Sequence, residues 1–125
     1  MQLVDLTVKE FSEELASSSP APGGGTIAAI NGAFAAGLGK MVCALTLKKP
    51  KEPEAEAVLE NAAGALDAAR ERLLALADED TQAFRQVMAA YRLTKETEAQ
   101  KAQRTEAIAQ AMAEATRVPM ETAAQ

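Results

Sequence analysis

One carboxylate sits where its neighbours should strip it of water. Read in sevens, the stretch from Leu59 to Ala90 places Leu59, Leu66, Leu73, Asp80 and Val87 on one line. The line three residues on holds Ala62, Ala69, Leu76, Ala83 and Ala90. That is a sustained heptad seam, and Asp80 is its only polar member. Leu76, Ala77, Ala83 and Phe84 lie one helical turn from it. A carboxylate drawn out of water needs a cation or hydrogen-bond donors beside it. Two readings follow: Asp80 does chemistry, or it makes a structural hydrogen bond where the stripe meets another helix or turns to solvent. The chain has no histidine, so acid–base work falls to carboxylates, lysines, Tyr91 or water. The same absence excludes Ser-His-Asp and Cys-His nucleophile systems. With Cys43 the only cysteine, a zinc centre of the usual ligands has almost nothing to hold it.

Three further features carry chemical potential. Arg104 stands four residues before Ile108, in line with Ile108, Met112 and Ala115. Its guanidinium suits a bidentate contact with Asp80 or an anionic ligand. The alternative is a side chain that snorkels to water. Lys40 is alone among the apolar residues of IAAINGAFAAGLGKMVCALTL and has the same two readings. The third feature is SSSPAPGGGT, residues 17–26. Its prolines stiffen the approach, and its glycines permit φ > 0 and let backbone N–H groups face a ligand. Those groups would lie at a helix N-terminus, where the dipole favours negative charge. A flexible interhelical turn is the rival reading. The pattern is not G-x-x-x-x-G-K-[ST], and no strand precedes it, so neither a P-loop nor a dinucleotide fold is supported.

The elements that must position these residues read as helices. Thr7 and Glu10 form a capping box, with Leu6 and Phe11 at the positions of a hydrophobic staple. Val8, Phe11 and Leu15 give this first helix its apolar stripe, and it should stop near Ser17. A second helix is expected from about Thr26 to Leu47, apolar on nearly every face, with Ala29, Ala33 and Gly37 as a small-residue ridge. A membrane span is the rival, since about 20 apolar residues suffice. Asn31 and Lys40 interrupt the run, and a buried central helix fits better. Pro53 suits the first turn of a third helix that runs to about Tyr91, long enough to be kinked or split. RLTKE reads as a turn, and Thr97 with Gln100 as a second capping box. The last helix should end near Arg117, because Val118 precedes Pro119. Pro119 would then open a further helix, cut short at Gln125. The expected fold is all-α: an antiparallel helical bundle with one long helix.

Composition agrees. Alanine is the filler and aromatics are only 3%, which favours helices packed closely through small residues. The 125 residues suffice for one domain. The net charge of −5, with no basic and aromatic patch, argues against nucleic acid as a partner. The N-terminus is too polar for a signal peptide, and the expected compartment is the cytoplasm.

The chain resembles the cyclodeaminase/cyclohydrolase family of folate enzymes. The resemblance rests on Ser19-Pro20-Ala21-Pro22-Gly23-Gly24-Gly25-Thr26 and the Ala/Gly helix through MVCALTL. It continues through DEDTQAF around Asp80, KETEAQKAQRTEAI and the Val118-Pro119 step. It covers the whole chain in order, although family domains continue beyond Gln125, so residues 1–125 correspond to the N-terminal part. The resemblance implies chemistry on the N5/N10 one-carbon bridge of tetrahydrofolate, as methenyltetrahydrofolate cyclohydrolase, formiminotetrahydrofolate cyclodeaminase or both. It implies no metal or redox cofactor and a homodimer or higher homo-oligomer; the interrupted apolar run of the second helix implies no membrane partner. Asp80 becomes the catalytic carboxylate facing the methenyl cation. Pro22, Gly23, Gly24 and Gly25 become the folate-contacting loop, with Thr26 capping the helix behind them. Lys40 and Arg104 are the cations available to the glutamate tail. The alternative is a catalytically inert helical assembly module, or a truncated fragment of such an enzyme.

Overall fold

The computed structural model describes residues 2–125. A short 3-10 turn, Leu3–Asp5, leads into α1, Val8–Leu15; α2 spans Gly24–Leu47, α3 Pro53–Tyr91 and α4 Glu98–Ala124. There is no strand among the described residues. Both expected capping boxes form: the Thr7 hydroxyl accepts from the Glu10 N–H, and that of Thr97 from the Gln100 N–H. Pro53 occupies the first turn of α3.

The heptad seam explains how the long helices pair. Every one of its ten residues is buried or half-buried. Its first half faces α2, where glycines make room. A Cβ at Gly39 would lie 3.0 Å from a Leu66 methyl, and one at Gly32 would lie 3.1 Å from a Leu73 methyl. As residue numbers fall along α2 they rise along α3, so the pair is antiparallel. The second half of the seam faces α4, where Val87 and Ala90 cluster with Ala111. The main core lies where three helices meet: Ala29 and Ala33 of α2, Leu73, Leu76, Ala77 and Ala83 of α3, and Val118 of α4.

Four expectations need correction. First, α3 is a single unbroken helix of 39 residues, about 58 Å long, and is not split. Second, α4 does not stop near Arg117 but runs through Pro119 to Ala124. An internal proline forfeits a hydrogen bond and costs about 3 kcal/mol. Tertiary packing offsets that cost. Val118 is completely buried in the core, and Arg117 pairs with Glu121 across the proline at 2.6 Å. Third, α2 starts at Gly24, two residues before Thr26. Fourth, α2 is not buried all round. Ala29, Ala33, Ala36 and Cys43 face the bundle, while Phe34, Leu38, Met41, Val42 and Leu45 are exposed, Phe34 by 61%. By length and composition α2 is also the one helix among the described residues apolar enough to cross a membrane.

Candidate functional site

The end of the Gly-rich loop, the last third of α3 and α4 at Ala115 enclose a cleft of about 300 Å³. Pro20, Ala21, Gly23, Gly24 and Gly25 form one wall. Asp80, Thr81 and Phe84 form the second, and Ala115 closes the third. The course of α4 past Arg117 matters here, because Val118 anchors that end of the helix in the core beside Ala115.

Each glycine has its own role. Gly23 is the N-cap of α2, in extended backbone, and Gly24 and Gly25 are its first two residues. No glycine among the described residues has positive φ, so conformational freedom is not what the loop uses. Close approach is. A Cβ at Gly25 would stand 2.5 Å from Asp80 Oδ1 and 2.8 Å from both Cγ and Oδ2. Only a glycine lets the α2 backbone lie against that carboxylate. A Cβ at Gly24 would meet nothing within 4 Å, and one at Gly23 only the Pro20 carbonyl at 3.9 Å. The backbone N–H groups of Gly24, Gly25 and Thr26 find no acceptor among the described residues, as befits a first helical turn. They give this end of α2 its positive dipole character, beside the Asp80 carboxylate. Pro22 is buried and braces the loop from behind without lining the cleft.

Thr26 does not cap α2. It is the third helical residue, its side chain makes no capping bond, and it is fully buried. Its hydroxyl is turned across to α3, donating to Asp80 Oδ2 at 2.9 Å. Thr26 Oγ1 also lies 3.1 Å from Thr81 Oγ1 and 3.4 Å from the Ala77 carbonyl. Asp80 Oδ1 has no hydrogen-bond partner among the described residues, and Asp80 lines the cleft. So the seam's polar residue is met by one hydroxyl donor rather than by a cation. Thr81, which is 3% exposed, escaped the sequence reading; one threonine beside a seam carboxylate gives no periodic signal.

The two expected cations lie elsewhere. Lys40 is about 22 Å along α2 from Gly25 and pairs with Asp67 of α3 at 2.7 Å. Lys40, then Arg70, holds the Asp67 carboxyl below its ordinary range. Arg104 does not pair with Asp80. Its guanidinium lies over the Tyr91 ring, 5.5 Å from the centroid, and donates to the Tyr91 carbonyl at 3.2 Å. It thereby satisfies an orphan carbonyl at the C-terminus of α3, where a cation is favoured. Tyr91 is about 16 Å along α3 from Asp80. Neither cation lines the cleft.

A second polar cluster joins α3 to α4. Arg72 donates to Glu79 and to Glu121, each at 2.6 Å, and Arg117 donates to Glu114, Glu121 and Glu79. The arginines hold Glu121 and Glu114 below the ordinary glutamate value of 4.5, Arg72 acting first on Glu121 and Arg117 on Glu114.

Comparison with known proteins converges on one family. The signature of formiminotransferase-cyclodeaminase matches residues 7–125. The methenyltetrahydrofolate cyclohydrolase of Methylorubrum extorquens is 44% identical over 91% of this chain and 55% of its own length. The rat formimidoyltransferase-cyclodeaminase is 31% identical over 97% of this chain and 22% of its own length. A crystal structure of formiminotetrahydrofolate cyclodeaminase from Thermotoga maritima superposes with a TM-score of 0.79 at 35% identity, covering 96% of this chain and 56% of that one. The chain thus spans about half the length of its bacterial relatives. It belongs to the formiminotransferase-cyclodeaminase family.

Proposed function

We propose that this chain carries the folate-facing part of an enzyme acting on the N5/N10 one-carbon bridge of tetrahydrofolate. One observation carries the reading: Asp80, with a carboxylate oxygen that has no partner among the described residues, lines a cleft walled by the glycine turn of α2. The names of the relatives give the substrate class. In the cyclohydrolase direction, water adds to the cationic methenyl carbon, and Asp80 takes the proton that the water loses. The tetrahedral carbon then collapses with cleavage of its bond to N5, which is protonated, giving 10-formyltetrahydrofolate. In the cyclodeaminase direction, N10 attacks the formimino carbon and ammonia leaves. A fixed carboxylate serves both, because charge and protons move at one carbon. The chemistry asks for no metal or redox cofactor.

The remaining assignments belong to the same proposal. Gly23, Gly24 and Gly25 contact the folate, with Gly25 also seating Asp80. Thr26 holds Asp80 and does not touch substrate. Lys40 and Arg104, paired elsewhere, are set aside as ligands of the glutamate tail within a single copy. The compartment is the cytoplasm, with neither membrane nor nucleic acid as partner. The exposed row Phe34, Leu38, Met41 and Leu45 on α2 is covered in a homodimer or higher homo-oligomer. That same row favours the second reading, an inert helical assembly module. Titration with 5-formyltetrahydrofolate and an assay of methenyl hydrolysis separate the two. The enzyme reading expects binding that depends on Asp80, whereas the module binds no folate. Sedimentation showing a compact monomer that binds no hydrophobic dye would contradict the oligomer.

A further inference from the structure

We infer that Thr81 is a positioning residue for Asp80, acting through Thr26 to keep one carboxylate oxygen occupied and the other free toward the cleft. Its significance for turnover rests on the proposed role of Asp80; its geometry does not.

The direction of the hydrogen bonds follows from counting protons. Thr26 has one hydroxyl proton and three oxygens near it: Asp80 Oδ2 at 2.9 Å, Thr81 Oγ1 at 3.1 Å and the Ala77 carbonyl at 3.4 Å. An ionised acceptor makes the shorter and stronger bond, so the proton goes to Asp80. Between the two hydroxyls either could donate on geometry alone. With the Thr26 proton committed, only Thr81 has one to give. The order is Thr81 to Thr26 to Asp80 Oδ2. Thr26 is wholly buried and Thr81 nearly so, so water does not compete for either hydroxyl. Donation by Thr81 polarises the Thr26 hydroxyl and strengthens its bond to the carboxylate. No hydrogen bond joins Thr81 to Asp80 directly, and Gly25 leaves no side chain in the way. The carboxylate is therefore fixed by one oxygen, with Oδ1 left for a ligand or for the proton of an attacking water. Without Thr81, the Thr26 hydroxyl is free to rotate toward the Ala77 carbonyl, its other acceptor.

Hydroxyl-proton and side-chain rotamer measurements by NMR on the isotope-labelled chain test this without any substrate. The parent should show slowly exchanging hydroxyl protons on both threonines and one Thr26 rotamer. Thr81→Val should raise the Thr26 hydroxyl exchange rate about tenfold or more and populate a second Thr26 rotamer, as expected when a buried donor is lost. Thr81→Ser should restore the parent pattern. If the valine variant does not fold, the parent and serine spectra decide. A Thr81 hydroxyl that exchanges like an exposed one, or a Thr26 hydroxyl directed at Ala77, overturns the inference. Where the chain hydrolyses methenyltetrahydrofolate, Thr81→Val should lower kcat about tenfold at unchanged KM, with rescue by serine. Unchanged kcat in an active parent also overturns it. A parent with the expected hydroxyl pattern and no turnover supports the positioning and counts against the proposed function alone.

Discussion

Glu79 and Asp80 are neighbours on α3, yet they enter opposite environments. Glu79 is held by Arg72 of its own helix through two nitrogens and by Arg117 of α4 through a third contact. Asp80 faces the first turn of α2, where a single hydroxyl meets one of its oxygens. The first carboxylate is saturated by cations in a half-exposed network, and such a network fastens two helices. The second is held by a neutral donor, lies against backbone that only glycine permits, and keeps an oxygen in reserve. A site able to act on a ligand needs such unused capacity, and the ion-pair cluster has spent its own. The comparison also separates the clefts. The larger one beside the arginines, about 370 Å³, is lined by Arg72, Glu79, Glu114 and Arg117, already paired with one another. The smaller one at Asp80 is where chemistry is expected.

Substitutions sharpen the contrast, and the largest effect belongs to Asp80. Asp80→Asn in a turnover-competent form should lower kcat by roughly 10²–10⁴, the range for loss of an acid–base group, with helicity by circular dichroism unchanged. Full turnover with reduced stability would make Asp80 structural. Next comes Gly25→Val, whose side chain has no room beside Asp80. It should abolish folate binding and destabilise the fold by about 1–3 kcal/mol, read by denaturant unfolding and calorimetry. Gly24→Ala, with open space at its Cβ, should leave stability unchanged or slightly raised. Thr26→Val should then cost about 1–3 kcal/mol in unfolding free energy, because it leaves a half-buried carboxylate without its donor.

The ion-pair cluster should respond least. Arg72→Gln should shift the melting midpoint by less than Thr26→Val, since exposed pairs contribute little. Its signature is pH dependence. Glu121 and Glu114 are held below their ordinary 4.5 in the folded chain. Their contribution is therefore present above that value and is lost as pH falls through the lower folded values. Melting followed from pH 6 downward should show this acid loss in the parent, and a flatter profile in Arg117→Gln. Equal slopes would remove the network from the stability of the fold.

How much of this was legible in the sequence differs by residue. Asp80 was, because one carboxylate breaks a seam of nine apolar residues and periodicity exposes the exception. The capping boxes at Thr7 and Thr97 were, because they are local. The start of α2 was not: two glycines read as loop, whereas the loop has no positive φ and Gly24 and Gly25 are helical because α2 must reach Asp80. Pro119 misled for the same reason, tertiary packing of Val118 outweighing a local breaker. Lys40 and Arg104 were visible as charges on apolar stripes, but a stripe does not reveal its partner. Theirs proved to be Asp67 and the Tyr91 carbonyl. Thr26 was noticed as a cap and found as a donor across helices, and Thr81 left no trace because its partner is 55 residues away.

Calorimetric titration of the chain with 5-formyltetrahydrofolate, alongside Gly25→Val and Lys40→Gln, decides whether the glycine turn beside Asp80 is where folate binds. The parent and Lys40→Gln should bind alike, and Gly25→Val should not bind although its helices form. Binding by Gly25→Val as tight as the parent's, or no binding by the parent, would rule out the glycine turn as the folate site of this chain.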